Sequence, residues 1–184
     1  MTLGTALALL GAALAMILAG SGSGIGVAKI GAASNALLSK EPKYFSRLLI
    51  LMLLPSSQSI YALTVAFMLF VGLGVLPGAD LLALSTHSGL ALMFLCLPVG
   101  VVGLVTTIVQ GNVGVTAVGL YAKQNKTFGN CIMIISASEV FALFGFLISM
   151  LGVMFWDMSG YPAAIDNVPE VIESARALLC ALPV

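Results

Sequence analysis

Charge is what this chain has least of. Of its 184 residues seven are Lys or Arg and seven are Asp or Glu, so 8% are charged, against about a quarter in an ordinary soluble domain. With 60% hydrophobic residues and a mean hydropathy of +1.16, the composition excludes a soluble globular protein. The balanced charges leave no basic tract long enough to follow a phosphate backbone, which excludes nucleic acid as a partner. Cysteine is scarce too. Cys96, Cys131 and Cys180 share no CxxC spacing and sit among apolar neighbours, so they read as small packing residues and not as a metal site or disulfide framework. Nucleotide chemistry is also missing, because Gly22-Ser23-Gly24-Ile25-Gly26 lacks the GK[ST] ending and the strand-to-helix context of a phosphate loop.

What is present is length without charge. A membrane-spanning helix needs about 20 mostly apolar residues, and four stretches qualify: 3–38, interrupted only by Lys29, then 48–76, 82–121 and 131–156. The connections are 39–47, a turn around Pro77-Gly78-Ala79-Asp80, and 122–130. The first stretch lacks a positive n-region and stays apolar well past a signal h-region, so it reads as a helix of the mature protein. Lys40, Lys43, Arg47, Lys123 and Lys126 gather in the first and third connections, with Glu41 their single opponent. Asp80, Asp157, Asp166, Glu170 and Glu173, opposed by Arg176, fall on the other side. The positive-inside rule then puts loops 39–47 and 122–130 in the cytoplasm and both termini outside.

The chain repeats itself. Lys40-Glu41-Pro42-Lys43-Tyr44-Phe45 and Lys123-Gln124-Asn125-Lys126-Thr127-Phe128 share K-x-x-K-x-F at an offset of 83. Ile25-Gly26-Val27-Ala28 also resembles Val113-Gly114-Val115-Thr116, at an offset of 88. The expected fold is therefore an all-α membrane protein built as two tandem, parallel-duplicated hairpins, 1–76 and 82–156, followed by an extension, 157–184. Gly20, Gly22, Gly24 and Gly26 would each cost up to about 1 kcal/mol in a helix relative to alanine. Close helix approach in a crowded, ring-like wall is the expected gain.

One charge stands where the bilayer is driest. Glu139 lies 13 residues past Lys126, about 20 Å along a helix rising 1.5 Å per residue. An acid at that depth is expensive unless it is paired, neutralised or bound to a cation, and so is a functional candidate. Gln110 lies 13 residues before Lys123, at the same depth on the preceding span. On the second span, Gln58 comes to a similar level and shares a helix side with Leu54, Ser57 and Tyr61. Pro55 removes the hydrogen bond to the Leu51 carbonyl and kinks the chain. A carboxylate, two amides, a hydroxyl and a main-chain carbonyl form a shell of hard oxygens for a hard cation, and a single negative charge suits a monovalent one. A proton would need only the glutamate. The amides serve equally as hydrogen-bond glue between helices, and the reading with H⁺ stays open beside the one with Na⁺.

At these residues the sequence resembles the proteolipid (K or c) subunits of V-type ATPases, in particular the bacterial sodium-translocating kind, over about residues 10 to 156. The resemblance rests on Leu54-Pro55-Ser56-Ser57-Gln58-Ser59-Ile60-Tyr61, Gln110-Gly111-Asn112-Val113, Ser138-Glu139-Val140-Phe141-Ala142-Leu143-Phe144-Gly145-Phe146 and the duplicated hairpins. It implies that Glu139 is the essential acid, and that the Leu54 main-chain oxygen, Ser57, Gln58 and Gln110 complete a sodium shell. Tyr61 would bond the carboxylate and hold the site closed. It further implies a homo-oligomeric rotor ring in the lipid of the cell membrane, without catalytic residues of its own, working against a stator subunit that carries an arginine. Central-stalk subunits would meet loops 39–47 and 122–130. A transporter or structural protein of four helices is the rival class. Ser57 stands where the family usually has threonine, which removes a methyl that helps fix the rotamer. Residues 157–184 run past the family's usual end; Val168, Val171, Ile172, Ala175, Leu178, Leu179 and Leu182 recur at helical spacing, which predicts an amphipathic helix on the outer membrane surface or ring rim.

Overall fold

The computed structural model describes residues 2–77 and 81–156, so the tip of the central turn and the extension 157–184 lie outside the described residues. Four long apolar helical stretches, Leu3–Leu38, Pro42–Gly72, Thr86–Lys123 and Asn125–Phe155, are each sufficient to cross a membrane. The first is one uninterrupted helix, α1 (Leu3–Leu38). The second is broken into α2 (Phe45–Leu53) and α3 (Ser57–Gly72) by a 3₁₀ turn at Leu54–Ser56. The third is again continuous, α4 (Thr86–Lys123), and the fourth is broken into α5 (Phe128–Ser136) and α6 (Glu139–Phe155). At 1.5 Å per residue α1 and α4 are about 54 and 57 Å long, well beyond a hydrocarbon core of about 30 Å.

The ends differ from the sequence expectation in two places. Helical structure in the second span begins at Pro42 and not at 48, because a proline fits the first turn, where its missing N–H is needed by nothing. The third helix starts at Thr86 and not at 82, because Ser85 caps it by accepting a hydrogen bond from the Ser88 N–H at 3.2 Å. Gly74, at φ 70°, takes the left-handed conformation that ends α3 at low steric cost.

Helices α1 and α4 run parallel and in contact along their length. Gly11 lies against Met93, Ala15 against Gly100, Gly22 against Leu104 and Thr107, and Gly26 against Thr107 and Gly111. A Cβ on Gly111 would come within 2.7 Å of the Gly26 Cα, and one on Gly26 within 2.8 Å of the Thr107 carbonyl oxygen. Gly11, Gly22 and Gly26 thus let two backbones touch, the approach expected of small residues, whereas Gly20 and Gly24 of the same run meet no atom of α4. Lys29, inside the span, donates to Asn112 Oδ1 on the neighbouring helix at 2.7 Å.

The broken helices pack on this inner pair, α3 on α1 and α6 on α4. Two apolar clusters fill the space. One gathers Ala8, Ala12, Ala15, Ala19, Val65, Leu69, Leu92 and Cys96; the other gathers Ile30, Leu48, Leu51, Tyr121, Cys131 and Ile135. Both described cysteines are buried, and Cys180 lies outside the described residues. Polar clasps close the two ends. At the end bearing the lysines, Arg47 donates to the Tyr121 hydroxyl at 3.0 Å and lies over the Tyr121 and Phe128 rings, while Tyr44 meets Tyr121 edge-on at 5.1 Å. Lys43 pairs with Glu41 at 2.7 Å and holds that carboxyl below the usual carboxylate range. At the other end the Thr2 and Thr5 hydroxyls donate to the carbonyls of Leu84 and Leu82, each at 2.8 Å.

Candidate ion-binding site

The two helix breaks lie at matching levels, and the polar side chains of the spans collect between them. In the first break Pro55 has no N–H to give, and the chain tightens into a 3₁₀ turn across Leu54–Ser56. That turn leaves the Leu54 carbonyl on the site side, where it accepts from the Ser57 hydroxyl at 3.2 Å. The same hydroxyl lies 3.2 Å from Gln58 Oε1. Gln58 Nε2 donates to Gln110 Oε1 at 2.9 Å, and Gln110 Nε2 donates to the Ile135 carbonyl at 3.3 Å. Both glutamines are buried, at 1% and 0% exposure. The second break follows immediately. Ile135 also accepts from the Ser138 hydroxyl at 3.1 Å, and Glu139 opens α6.

Glu139 and Tyr61 form the outer edge of this layer. The tyrosine hydroxyl donates to Glu139 Oε1 at 2.9 Å, and its ring stacks on Phe146 with centroids 5.1 Å apart. Both side chains are half-buried while the amides behind them are sealed. The site therefore has a closed, neutral, oxygen-bearing base and one carboxylate at its open face, with a tyrosine bonded across it. Among the described residues there is no group of three His, Cys, Asp or Glu able to hold a metal, so the donors available are oxygens from one acid, two amides, one hydroxyl and the main chain. Hard oxygens with a single charge match a monovalent hard cation or a proton.

All six residues singled out in the sequence, Leu54, Ser57, Gln58, Tyr61, Gln110 and Glu139, are brought together here. The structure adds the Ile135 carbonyl and Ser138, which carry no sequence signal because main-chain acceptors leave none and the second break has no proline. It also shows a brace farther along. Pro98 interrupts the hydrogen-bond ladder of α4, and the next amide, that of Val99, donates to the buried Ser149 hydroxyl of α6 at 3.0 Å.

A pair of parallel helical hairpins with one carboxylate near the middle of its membrane-length stretch, backed by amides from the neighbouring helices, defines a membrane proteolipid of the ion-carrying type. The comparisons agree. The family described as the ATP synthase C subunit matches residues 10–69 and again 93–152, and the chain belongs to that family. The V-type sodium ATPase subunit K of Enterococcus hirae is 35% identical over 151 residues, which is 82% of this chain and 92% of that one. The A-type ATP synthase subunit K of Methanocaldococcus jannaschii is 30% identical over 77% of this chain and 59% of its own length. The c-prime subunit of the V-type proton ATPase of Candida glabrata is 32% identical over 77% of this chain and 83% of its own length. The two family matches begin 83 residues apart, the same offset as the K-x-x-K-x-F pair. The likeness at an offset of 88 in the inner helices is therefore a coincidence of small residues and not the register of the repeat.

Proposed function

We propose that this chain is the rotor-ring proteolipid of a V-type rotary ATPase and that each copy carries one Na⁺ on Glu139. The observation that carries the reading is the polar layer: Gln58, Gln110, Ser57 and the Leu54 carbonyl lie behind the one mid-membrane carboxylate, more oxygen than a proton requires. Glu139 supplies the charge, and the two amides, the Ser57 hydroxyl and the Leu54 carbonyl replace water around the ion. Tyr61 holds the carboxylate in place while the loaded site faces lipid. Loaded, the site is neutral and passes through hydrocarbon at low cost; empty, it carries a charge that must face a cation or water. That difference couples rotation to ion passage, with the opposing cation an arginine of a stator subunit. The similarity to a sodium ATPase subunit supports this reading.

In the membrane, loops 39–47 and 122–130 with their lysines and Arg47 face the cytoplasm, where central-stalk subunits meet them, and both termini face outside. The units are the hairpins 1–76 and 82–156.

A proton-carrying ring is the second reading, favoured by one observation: Gln58 and Gln110 bond each other and Glu139 is bonded to Tyr61, so these polar groups already have partners on the chain. The experiment is the rate of Glu139 modification by a carboxyl-directed carbodiimide in the purified protein, across a Na⁺ series with a K⁺ control at fixed pH and ionic strength. Slowing by Na⁺ alone is expected. Labelling that ignores Na⁺ and slows only as pH rises would overturn the sodium reading in favour of protons.

A further inference from the structure

A buried hydroxyl without a partner is rare, because leaving it unbonded costs the full desolvation of the group. On α1, Ser23 is such a group: it is 6% exposed and its Oγ makes no hydrogen bond. Ser21 on the same helix and Ser39 at its C-cap turn back on the carbonyls of Leu18 and Ala36, both at 2.9 Å. Ser23 does not.

Its neighbours on the helix show what it faces. Residues three and four apart share a helix side, so Ala19 and Gly26 flank Ser23. Ala19 Cβ lies 3.1 Å from the Cβ position of Gly103, and that same position is 3.6 Å from Gln58 Cβ. Gly26 lies against Pro55, whose Cβ would be 2.9 Å from a side chain placed there. Ser23 therefore sits on α1 between the contacts to Gln58 and to the broken turn that begins the ion site.

Gln58 has something to offer in return. Its amide nitrogen carries two hydrogens, and one bond, to Gln110 Oε1, is made. The oxygen and nitrogen of a carboxamide lie in one plane on opposite sides of its Cγ–Cδ bond, so turning Gln58 Oε1 toward a cation turns its NH₂ away from it. In a sealed layer that NH₂ needs an acceptor behind the site. We propose that Ser23 is a positioning residue of the ion site: its hydroxyl accepts the spare Gln58 amide hydrogen and keeps the carbonyl oxygen aimed at the ion. The inference rests on the sodium reading above and assigns the first helix, which provides none of the ion's own ligands, a part in binding.

The test is the Na⁺ concentration that half-protects Glu139 from carbodiimide in the assembled protein. Ser23→Ala is expected to raise it about fivefold, the effect of one hydrogen bond, and to leave the pH dependence of labelling without Na⁺ unchanged, since the carboxylate and Tyr61 are not touched. The control is Ser34→Ala. Ser34 is 3% exposed and equally unpartnered, but it lies three turns away beside Leu48 and Met52, and its removal is expected to leave protection unchanged. Where Ser23→Ala does not assemble, Ser23→Cys, close in size and a weak acceptor, is expected to give the same shift. Unchanged protection in the Ser23 variant, an equal shift in Ser34→Ala, or a moved pH dependence would each overturn the role while leaving the sodium reading standing. No Na⁺ protection in the unmodified protein would overturn both together.

Discussion

The two outer helices break at the same place and are furnished for opposite tasks. In the repeat register Leu54, Pro55 and Ser56 of the first correspond to Ala137, Ser138 and Glu139 of the second. The first break is made by proline and carries no charge; the second is made without proline and opens directly on the carboxylate. The rest of the site follows the same division. Val27 stands at the register position of Gln110, and Val140, Phe141 and Phe144 stand at those of Ser57, Gln58 and Tyr61. One repeat thus contributes the acid and an amide, the other contributes hydroxyl, amide and tyrosine, and the polar set occurs once per four helices. A break in a membrane helix is tolerated because neighbouring polar groups satisfy the freed backbone. The first break is answered by Ser57 on Leu54, the second by Gln110 and Ser138 on Ile135.

This asymmetry can be broken at several points. The largest effect is expected from Glu139→Gln, which removes the one carboxylate of the site: ATP-driven ion uptake by vesicles holding the assembled complex should fall to background. Moving the acid to the other repeat should not repair it. A Ser56→Glu, Glu139→Gln double variant is expected to remain inactive in the same assay, because valines and phenylalanines occupy the positions where the amides, hydroxyl and tyrosine are needed. Recovery of more than about a tenth of the uptake would show that the two breaks are interchangeable. Gln110→Leu keeps the acid and takes away one oxygen. A bond to a charged group contributes about 1.5–3 kcal/mol, so the Na⁺ concentration needed to protect Glu139 should rise at least about tenfold. Tyr61→Phe keeps the stacking on Phe146 and loses the hydroxyl. Its smaller effect, roughly threefold to tenfold, should be seen mainly as faster release of bound ²²Na⁺ in a chase experiment, since the tyrosine closes the site more than it forms it.

How much of this was legible in the sequence follows from the same scarcity of charge. In a chain with so few ionisable residues, one glutamate between Lys126 and Asp157 stands out, and counting helical rise from Lys126, Lys123 and Arg47 is enough to set Gln110 and Gln58 near its level. The four spans were legible for the same reason, although Pro42 and Ser85 set their beginnings by local capping that a hydropathy window averages away. The break before Glu139 was not legible. Ile135-Ser136-Ala137-Ser138 contains neither proline nor glycine, and the chain departs from the helix where the Ile135 oxygen accepts from Gln110 of α4, a tertiary effect. The Val99–Ser149 brace was hidden likewise, since Pro98 predicts a freed acceptor on its own helix but does not say that the next amide donates to Ser149 of α6. In the inner helices the small residues show a likeness at an offset of 88, while the two family matches set the register of the repeat at 83.

The central claim is that the ion held at Glu139 is sodium, and ATP-driven ²²Na⁺ uptake into inverted vesicles carrying the intact complex tests it most directly when a protonophore is added. A ring that carries Na⁺ is expected to accumulate ²²Na⁺ undiminished or faster under protonophore, with the uptake lost in Glu139→Gln. Uptake that collapses with the proton gradient, together with ATP-driven acidification of the vesicle lumen in the absence of Na⁺, would contradict the account and make Glu139 a proton carrier.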